Sequence, residues 1–150
     1  MKTNDITGRY RRGQVGVGIE MGRPGIGTSV RDLEIVAMAL ARLGVEFEPL
    51  NPVAALMADV KTGKFKEEVL RERVLSAIIE IEVERDELRG ILRTIKEVAK
   101  EVDSVFTLDA FTILEPGLTI PEEVLEEIRA EGFTWRPNAK INMGLGRAWE

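Results

Sequence analysis

The stretch Gly22-Arg-Pro-Gly-Ile-Gly-Thr-Ser29 brings glycines, one guanidinium and two hydroxyls together within a single turn. Glycines permit the backbone conformations in which successive N–H groups point into one concavity, and such a nest attracts anions. A helix starting at Val30 would add the partial positive charge of its N-terminus. Arg23 offers a planar two-pronged donor that matches a carboxylate or a phosphate. Thr28 and Ser29 can donate hydroxyl hydrogens. Gly22, Arg23, Gly25, Gly27, Thr28 and Ser29 are therefore the candidate ligand-binding residues, and the ligand expected is a small anion. The other reading is a tight turn whose glycines only satisfy backbone geometry.

Two nucleotide-binding patterns are excluded here. A P-loop needs Gly-Lys-Ser/Thr, and Thr28 follows Gly27 with no lysine between them. Gly16 and Gly18 begin the dinucleotide pattern, but only a stretched spacing completes it.

The absence of Cys and His decides what chemistry remains. Thiol nucleophiles, disulfides, Cys/His zinc sites and iron–sulfur ligation are ruled out. Imidazole acid–base steps and the Ser-His-Asp triad are ruled out as well. Carboxylates, lysines, Tyr10 and hydroxyls are left. An enzyme built on this loop would use Glu20 or Asp109 as its general base. Asp109 interrupts an apolar run, so it must pair, with Arg23 or Lys140, or face outward. No metal site is expected, and any metal would be a hard, oxygen-bound cation. Glu80, Glu82, Glu84 and Asp86 could hold such a cation, but they read better as the solvated side of a strand. Glu122, Glu123, Glu126, Glu127 and Glu131 read as a solvated helix face. The residues name no cofactor.

A net charge of −5 opposes general nucleic-acid binding, which requires a basic field. The local exception, Arg9-Tyr10-Arg11-Arg12, reads as part of a flexible N-terminal arm over residues 1–13. No run approaches membrane-spanning length and no secretory signal opens the chain, so no membrane partner and a cytoplasmic location are expected. A charged fraction of 31% also suits a thermophilic or archaeal source. A length of 150 residues fits a single domain, placed here at residues 14–150.

The elements that would position the loop follow from periodicity. Val15, Val17 and Ile19 alternate with Gly16, Gly18 and Glu20, which predicts a strand from Gln14 to Met21. Ser29 caps a helix from Val30 to Leu43, with Asp32 in its first turn and Gly44 ending it. Val45–Pro49 reads as a short edge strand. Asn51-Pro52 opens a short apolar helix to Val60, and helix resumes from Phe65 to Glu72.

Residues 74–103 admit two readings. Val74, Ile78, Ile81, Arg85, Leu88, Leu92, Ile95, Ala99 and Val102 follow a 4-3 spacing, broken in apolarity only by Arg85, that one long helix would explain. Ala77, Ile79, Ile81 and Val83 also alternate with glutamates, and the run is rich in β-branched residues. The second reading is expected: a strand, then a helix capped at Asp86 and running to Asp103. Val105–Leu114, apolar on both faces, is expected as a central strand. Thr119 and Glu122 suggest a capping box for a helix from Pro121 to Glu131. Phe133 and Trp135 suggest an edge strand, and Asn138–Gly146 alternates again. Trp149 is docked on the domain or offered to a partner.

The order of elements resembles a ferredoxin-like βαβ-βαβ sandwich of the α+β class, with a helical insert and an extra C-terminal helix. The alternative is a small doubly wound α/β sheet. The apolar helix 30–43 exceeds what one small core absorbs, so a homodimer is expected. The leading functional expectation is a non-enzymatic binding or regulatory module for an anionic metabolite. The others are an enzyme acting on a phosphorylated or carboxylated substrate, and an accessory protein of a larger complex.

Overall fold

The computed structural model describes residues 11–23 and 25–135. The chain folds as an α+β sandwich. The main sheet contains β1 (Gln14–Met21), β3 (Glu46–Phe47), β7 (Ala77–Glu84) and β8 (Phe106–Phe111), in the order β3-β7-β1-β8. Every pairing is antiparallel, which overturns the doubly wound alternative, a fold built on parallel strands. Three helices, α1 (Val30–Ala41), α2 (Leu88–Val98) and α3 (Glu122–Ala130), accompany the sheet among the described residues.

Period-two alternation divides the sheet into two unlike faces. Val15, Val17, Ile19 and Met21 of β1 share one face with Ala77, Ile79, Ile81 and Val83 of β7. These side chains form one cluster with Leu33, Val36 and Leu40 of α1 and Leu88, Ile91 and Ile95 of α2. Each such side chain taken fully out of water contributes about 1.5–3 kcal/mol before entropy is subtracted. The other face carries Gly16, Gly18 and Glu20 between Glu80 and Glu82 on one side and Thr107, Asp109 and Phe111 on the other.

β1 and β7 occupy the spans their patterns predict, whereas α1 stops at Ala41 rather than Leu43 and β3 is confined to Glu46–Phe47. The long-helix reading of 74–103 fails, because β7 uses its alternating residues to pair with β1 over its whole length. The helix that follows begins differently from expectation. A 3-10 turn at Arg85–Glu87 precedes α2, and the Glu84 N–H donates to the Glu87 carboxylate at 3.0 Å, so Asp86 is not the cap. The helix ends at Val98 rather than Asp103.

The insert between β3 and β7 is not helical. It holds 3-10 turns at Ala54–Leu56 and Glu67–Val69 and two short ladders. One ladder joins β4 (Met57–Asp59) to β5 (Lys64–Phe65); the other joins β2 (Thr28–Ser29) to β6 (Arg73–Val74). Met57, Phe65 and Leu70 of the insert enter the core beside α1. The Phe65 N–H also donates to the Glu34 carboxylate at 2.8 Å. The second apolar side of α1 is thus covered by its own chain, and the helix by itself does not require a second subunit.

Three further expectations are corrected. β8 is an edge strand, paired with β1 alone among the described strands, not a central one. Thr119 does not cap α3; its carbonyl accepts from the Glu115 N–H, and Pro121 stands at the N-cap. No strand forms at Phe133–Trp135. There the Gly132 and Phe133 N–H groups return to the carbonyls of Arg129 and Ile128, closing the helix, and Phe133 packs on the core. The alternating run 138–146, Lys140 and Trp149 lie outside the described residues, as does most of the N-terminal arm.

The glutamates of α3 form a ladder to α2 rather than a uniformly solvated face. Arg89 binds Glu127 through two hydrogen bonds, at 2.6 and 3.1 Å, and Arg93 binds Glu131 at 2.7 Å. The hydrogen bond from Arg93 holds the Glu131 carboxyl below the ordinary glutamate value. A carboxylate depressed in this way stabilises the fold above its unfolded-state pKa, and the contribution is lost as pH falls through the folded value. Arg93→Gln is therefore expected to lower the melting temperature at neutral pH. The gap from wild type should close on acidification through the carboxylate range. A gap that persists unchanged in acid would show that the pair does not couple the two helices.

Candidate functional site

Gly22–Ser29 leaves the end of β1 and enters α1, as its sequence predicts. The turn is held mainly by its own backbone. The Gly22 carbonyl accepts from the N–H groups of Ile26 and Gly27, at 3.0 and 3.1 Å. The Gly22 N–H donates to the Val105 carbonyl at 2.8 Å, and the Val30 N–H to the Glu72 carbonyl at 3.0 Å. The Ser104 hydroxyl donates to the Gly27 carbonyl at 3.3 Å. Segments far apart in sequence are thereby fastened at one end of the sheet.

The candidate residues take different roles within this arrangement. Ser29 Oγ accepts from the Asp32 N–H at 3.0 Å and donates to the Asp32 carboxylate at 2.7 Å, which is the helix cap its position predicts. Thr28 is wholly buried, and its hydroxyl donates to the Ser29 carbonyl at 3.3 Å. Gly22 and Gly27 are buried, whereas Gly25 and Arg23 are exposed. Arg23 donates to Glu20 at 3.1 Å; its own side chain is 50% exposed and that of Glu20 only 13%. The surface a ligand would meet is therefore Arg23, Gly25 and Ile26, with Glu20 behind Arg23.

Sequence reasoning did not find the apolar rim. Ile26 is 68% exposed, Leu75 84% and Val105 40%. Ile26 belongs to the turn itself, Leu75 follows β6 and Val105 precedes β8, and the turn's backbone lies against the latter two segments. Only the fold brings them together. All three exposed apolar residues thus belong to the turn that carries the half-exposed Arg23 guanidinium or to segments in contact with it.

Of the two carboxylates considered as bases, Glu20 stands at the loop and touches Arg23. Asp109 sits opposite Gly18, one pair further from the loop on the same sheet face. Glu80 does not belong to a solvated strand side. It is 3% exposed and accepts from the Asn51 side-chain amide at 2.7 Å, while the Asn51 carbonyl oxygen accepts from the Val53 N–H at 2.8 Å. Among the described residues, no group of three or more acidic side chains is disposed to hold a metal ion. At the opposite end of β1, an open cleft of about 460 Å³ is lined by Gln14, Leu43, Glu46, Glu82, Glu84 and Glu87. Its carboxylates suit a cation rather than an anion.

Compared with protein-family models, with curated protein sequences and with solved structures, the chain matches none of them. Among the described residues, no helix is long and apolar enough to cross a membrane. Fold and site define an α+β sandwich with a hydrogen-bonded glycine turn at one end of its antiparallel sheet.

Proposed function

We propose that the chain is a non-enzymatic binding module that takes a small anionic ligand with an apolar body at the Gly22–Ser29 turn. The observation that carries this reading is the half-exposed guanidinium of Arg23 on a turn whose own Ile26, and whose contacting segments' Leu75 and Val105, are exposed and apolar. Arg23 would receive a carboxylate or phosphate, and the rim would cover an adjoining hydrocarbon or ring. A bare inorganic anion would use only half of that surface. The order of elements, strand–helix–strand, strand–helix–strand, with the sheet order β3-β7-β1-β8, supports a ferredoxin-like frame. The same apolar rim, not α1, is the surface through which a homodimer would form.

Calorimetric titration against nucleotides, phosphorylated metabolites and carboxylic acids, each with and without an apolar moiety, tests the proposal. The amphipathic anions are expected to bind tightest. Arg23→Ala should weaken that binding about tenfold or more, because a charge-assisted hydrogen bond contributes about 1.5–3 kcal/mol. Binding by none of them, or binding indifferent to Arg23→Ala, would remove the basis of the reading.

One observation favours an enzyme as the second reading. Glu20 is a largely buried carboxylate in contact with the anion-binding guanidinium, which is where a general base would stand. If turnover of a bound substrate were found, Glu20→Gln should abolish it while leaving binding in place. Turnover that survives Glu20→Gln would exclude this carboxylate as the base.

A further inference from the structure

β8 is a sheet edge built without the usual devices that keep an edge unpaired. Its six residues, Phe106–Phe111, include no lysine, arginine, proline or glycine, and among the described strands only β1 lies beside it. The opposite edge, β3, is just two residues long. One hydrogen bond fixes which backbone groups of β8 face outward. Continuing the β1–β8 register by one step sets Gly22 across from Val105, and there the Gly22 N–H donates to the Val105 carbonyl at 2.8 Å. Hydrogen-bonded pairs alternate along an antiparallel ladder, so Thr107, Asp109 and Phe111 also turn their N–H and C=O groups toward β1. Phe106, Leu108 and Ala110 turn theirs away from it. These same residues share the core face with Met21, Ile19 and Val17, their partners on β1. The β1 partners are at most 2% exposed, whereas Phe106 and Leu108 are only partly buried and Ala110 is exposed. The apolar layer thus thins out at the edge where the ladder of strands ends.

We propose that this edge pairs with β8 of a second copy of the chain, antiparallel, about a dyad that passes through Leu108 perpendicular to the sheet. The inference rests on the homodimer part of the proposed function and not on a ligand at Arg23. Such a dyad keeps the two core faces on one side, so each residue must pair with one that shares its face. Centred on Leu108, the register sets Leu108 across from the partner's Leu108. It sets Phe106 across from the partner's Ala110, a large side chain against a small one. The outward N–H and C=O groups of Phe106, Leu108 and Ala110 then exchange bonds across the dyad. On the other face, Thr107 falls across from the partner's Asp109, a hydroxyl donor against a carboxylate. Val105, which is 40% exposed and belongs to the apolar rim, falls across from the partner's Phe111. Moving the dyad to Asp109 would oppose that carboxylate to its own copy, and like charges directly opposed repel. Larger shifts shorten the ladder. The pairing joins two four-stranded sheets into one and covers the half-open core faces of both β8 strands.

Sedimentation velocity of the full chain is expected to show a reversible dimer. Amide exchange at Phe106, Leu108 and Ala110 should be as slow in the dimer as at Thr107 and Asp109, and should speed up selectively on dilution to the monomer. Thr107 is exposed, so its variants read the register without entering the core. Thr107→Asp should weaken the dimer about threefold or more, because it meets the partner's Asp109 on each side of the dyad, and Thr107→Lys should tighten it by a similar factor. Ala110→Pro removes an outward N–H and no bond to β1, so its circular dichroism should match wild type while its dimer dissociates. A single-chain mass at every concentration would overturn both this proposal and the homodimer. Slow exchange at Phe106, Leu108 and Ala110 in such a monomer would assign the edge to the chain's own terminal segments. A dimer that Leu75→Glu dissociates, but that Thr107→Asp and Ala110→Pro leave intact, would overturn the strand pairing alone and assign the interface to the rim. Equal dimer strength in Thr107→Asp and Thr107→Lys would overturn the register centred on Leu108.

Discussion

Gly63→Ala is expected to destabilise the protein by about 3 kcal/mol or more, one of the largest effects of any single-methyl addition to this chain. Two causes act together. Gly63 sits at φ +71°, a left-handed conformation that adds about 1–2 kcal/mol for a residue bearing a Cβ. The added Cβ would also lie 2.5 Å from the Ala37 carbonyl carbon and oxygen and 2.8 Å from the Met38 nitrogen. These are backbone atoms of α1 at a fully buried position, so no flexible side chain can yield. The β4–β5 hairpin would have to lift away from the helix, drawing Phe65 and Met57 out of the core. Denaturant unfolding measures the loss. Amide exchange at Phe65, whose N–H is held by Glu34, should rise well above that of the β1 amides. A variant within about 0.5 kcal/mol of wild type, the range of unremarkable surface substitutions, would show that the hairpin is not seated on α1.

That close approach was not legible in the sequence. Val53–Val60 is a short apolar run, and apolarity alone reads as readily as helix as it does as strand. What decides is tertiary: Met57 and Phe65 must both reach α1, and the chain turns back through Gly63 to allow it. Elements with local signals fared better. The Ser29–Asp32 cap fixed the start of α1, and the β-branched alternation of Ala77–Val83 outweighed a heptad-like spacing. Part of that spacing was nonetheless real, because Leu88, Leu92 and Ile95 do form the buried stripe of α2. β8 was misplaced for a definite reason. Apolar residues on both sides of a strand report two covered faces and carry no information about hydrogen bonds along its edges. Phe111, pointing away from the helices, produced the false signal.

The site was legible in its chemistry and not in its surroundings. The strand–turn–helix placement of Gly22–Ser29 could be read from spacing. That Arg23 would meet Glu20, three residues back across the turn, and not Asp109, depends on the turn's geometry. Ile26, Leu75 and Val105 are separated by tens of residues, and nothing in their local sequence marks them as neighbours. The hydroxyls mislead for a simpler reason. Ser and Thr at a helix start serve the backbone first, and here Ser29 caps α1 while Thr28 is buried.

Gly22→Ala is expected to cost about 3 kcal/mol as well, and it separates the turn's structural role from its binding role. Gly22 has φ +79°, and an added Cβ would lie 2.8 Å from the Leu75 carbonyl oxygen and 2.9 Å from the Gly27 carbonyl carbon. Its carbonyl is the shared acceptor for Ile26 and Gly27, and its N–H holds the Val105 carbonyl. Displacing it disturbs every segment of the apolar rim at once. Arg23→Ala, by contrast, removes a half-exposed ion pair and should change stability by less than about 1 kcal/mol. The expected pattern is therefore asymmetric: Arg23→Ala folds normally and binds poorly, whereas Gly22→Ala loses both stability and affinity. A ligand that binds only the folded turn should also restore part of what Gly22→Ala loses. At a concentration one hundred times its dissociation constant, it would return about 2.7 kcal/mol. Thermal melts of both variants, with and without the tightest amphipathic anion, measure this directly. Should Gly22→Ala melt with wild type, the hydrogen bonds converging on Gly22 do not hold the sheet's end together. Should the ligand stabilise Arg23→Ala as much as wild type, it is bound somewhere other than this turn.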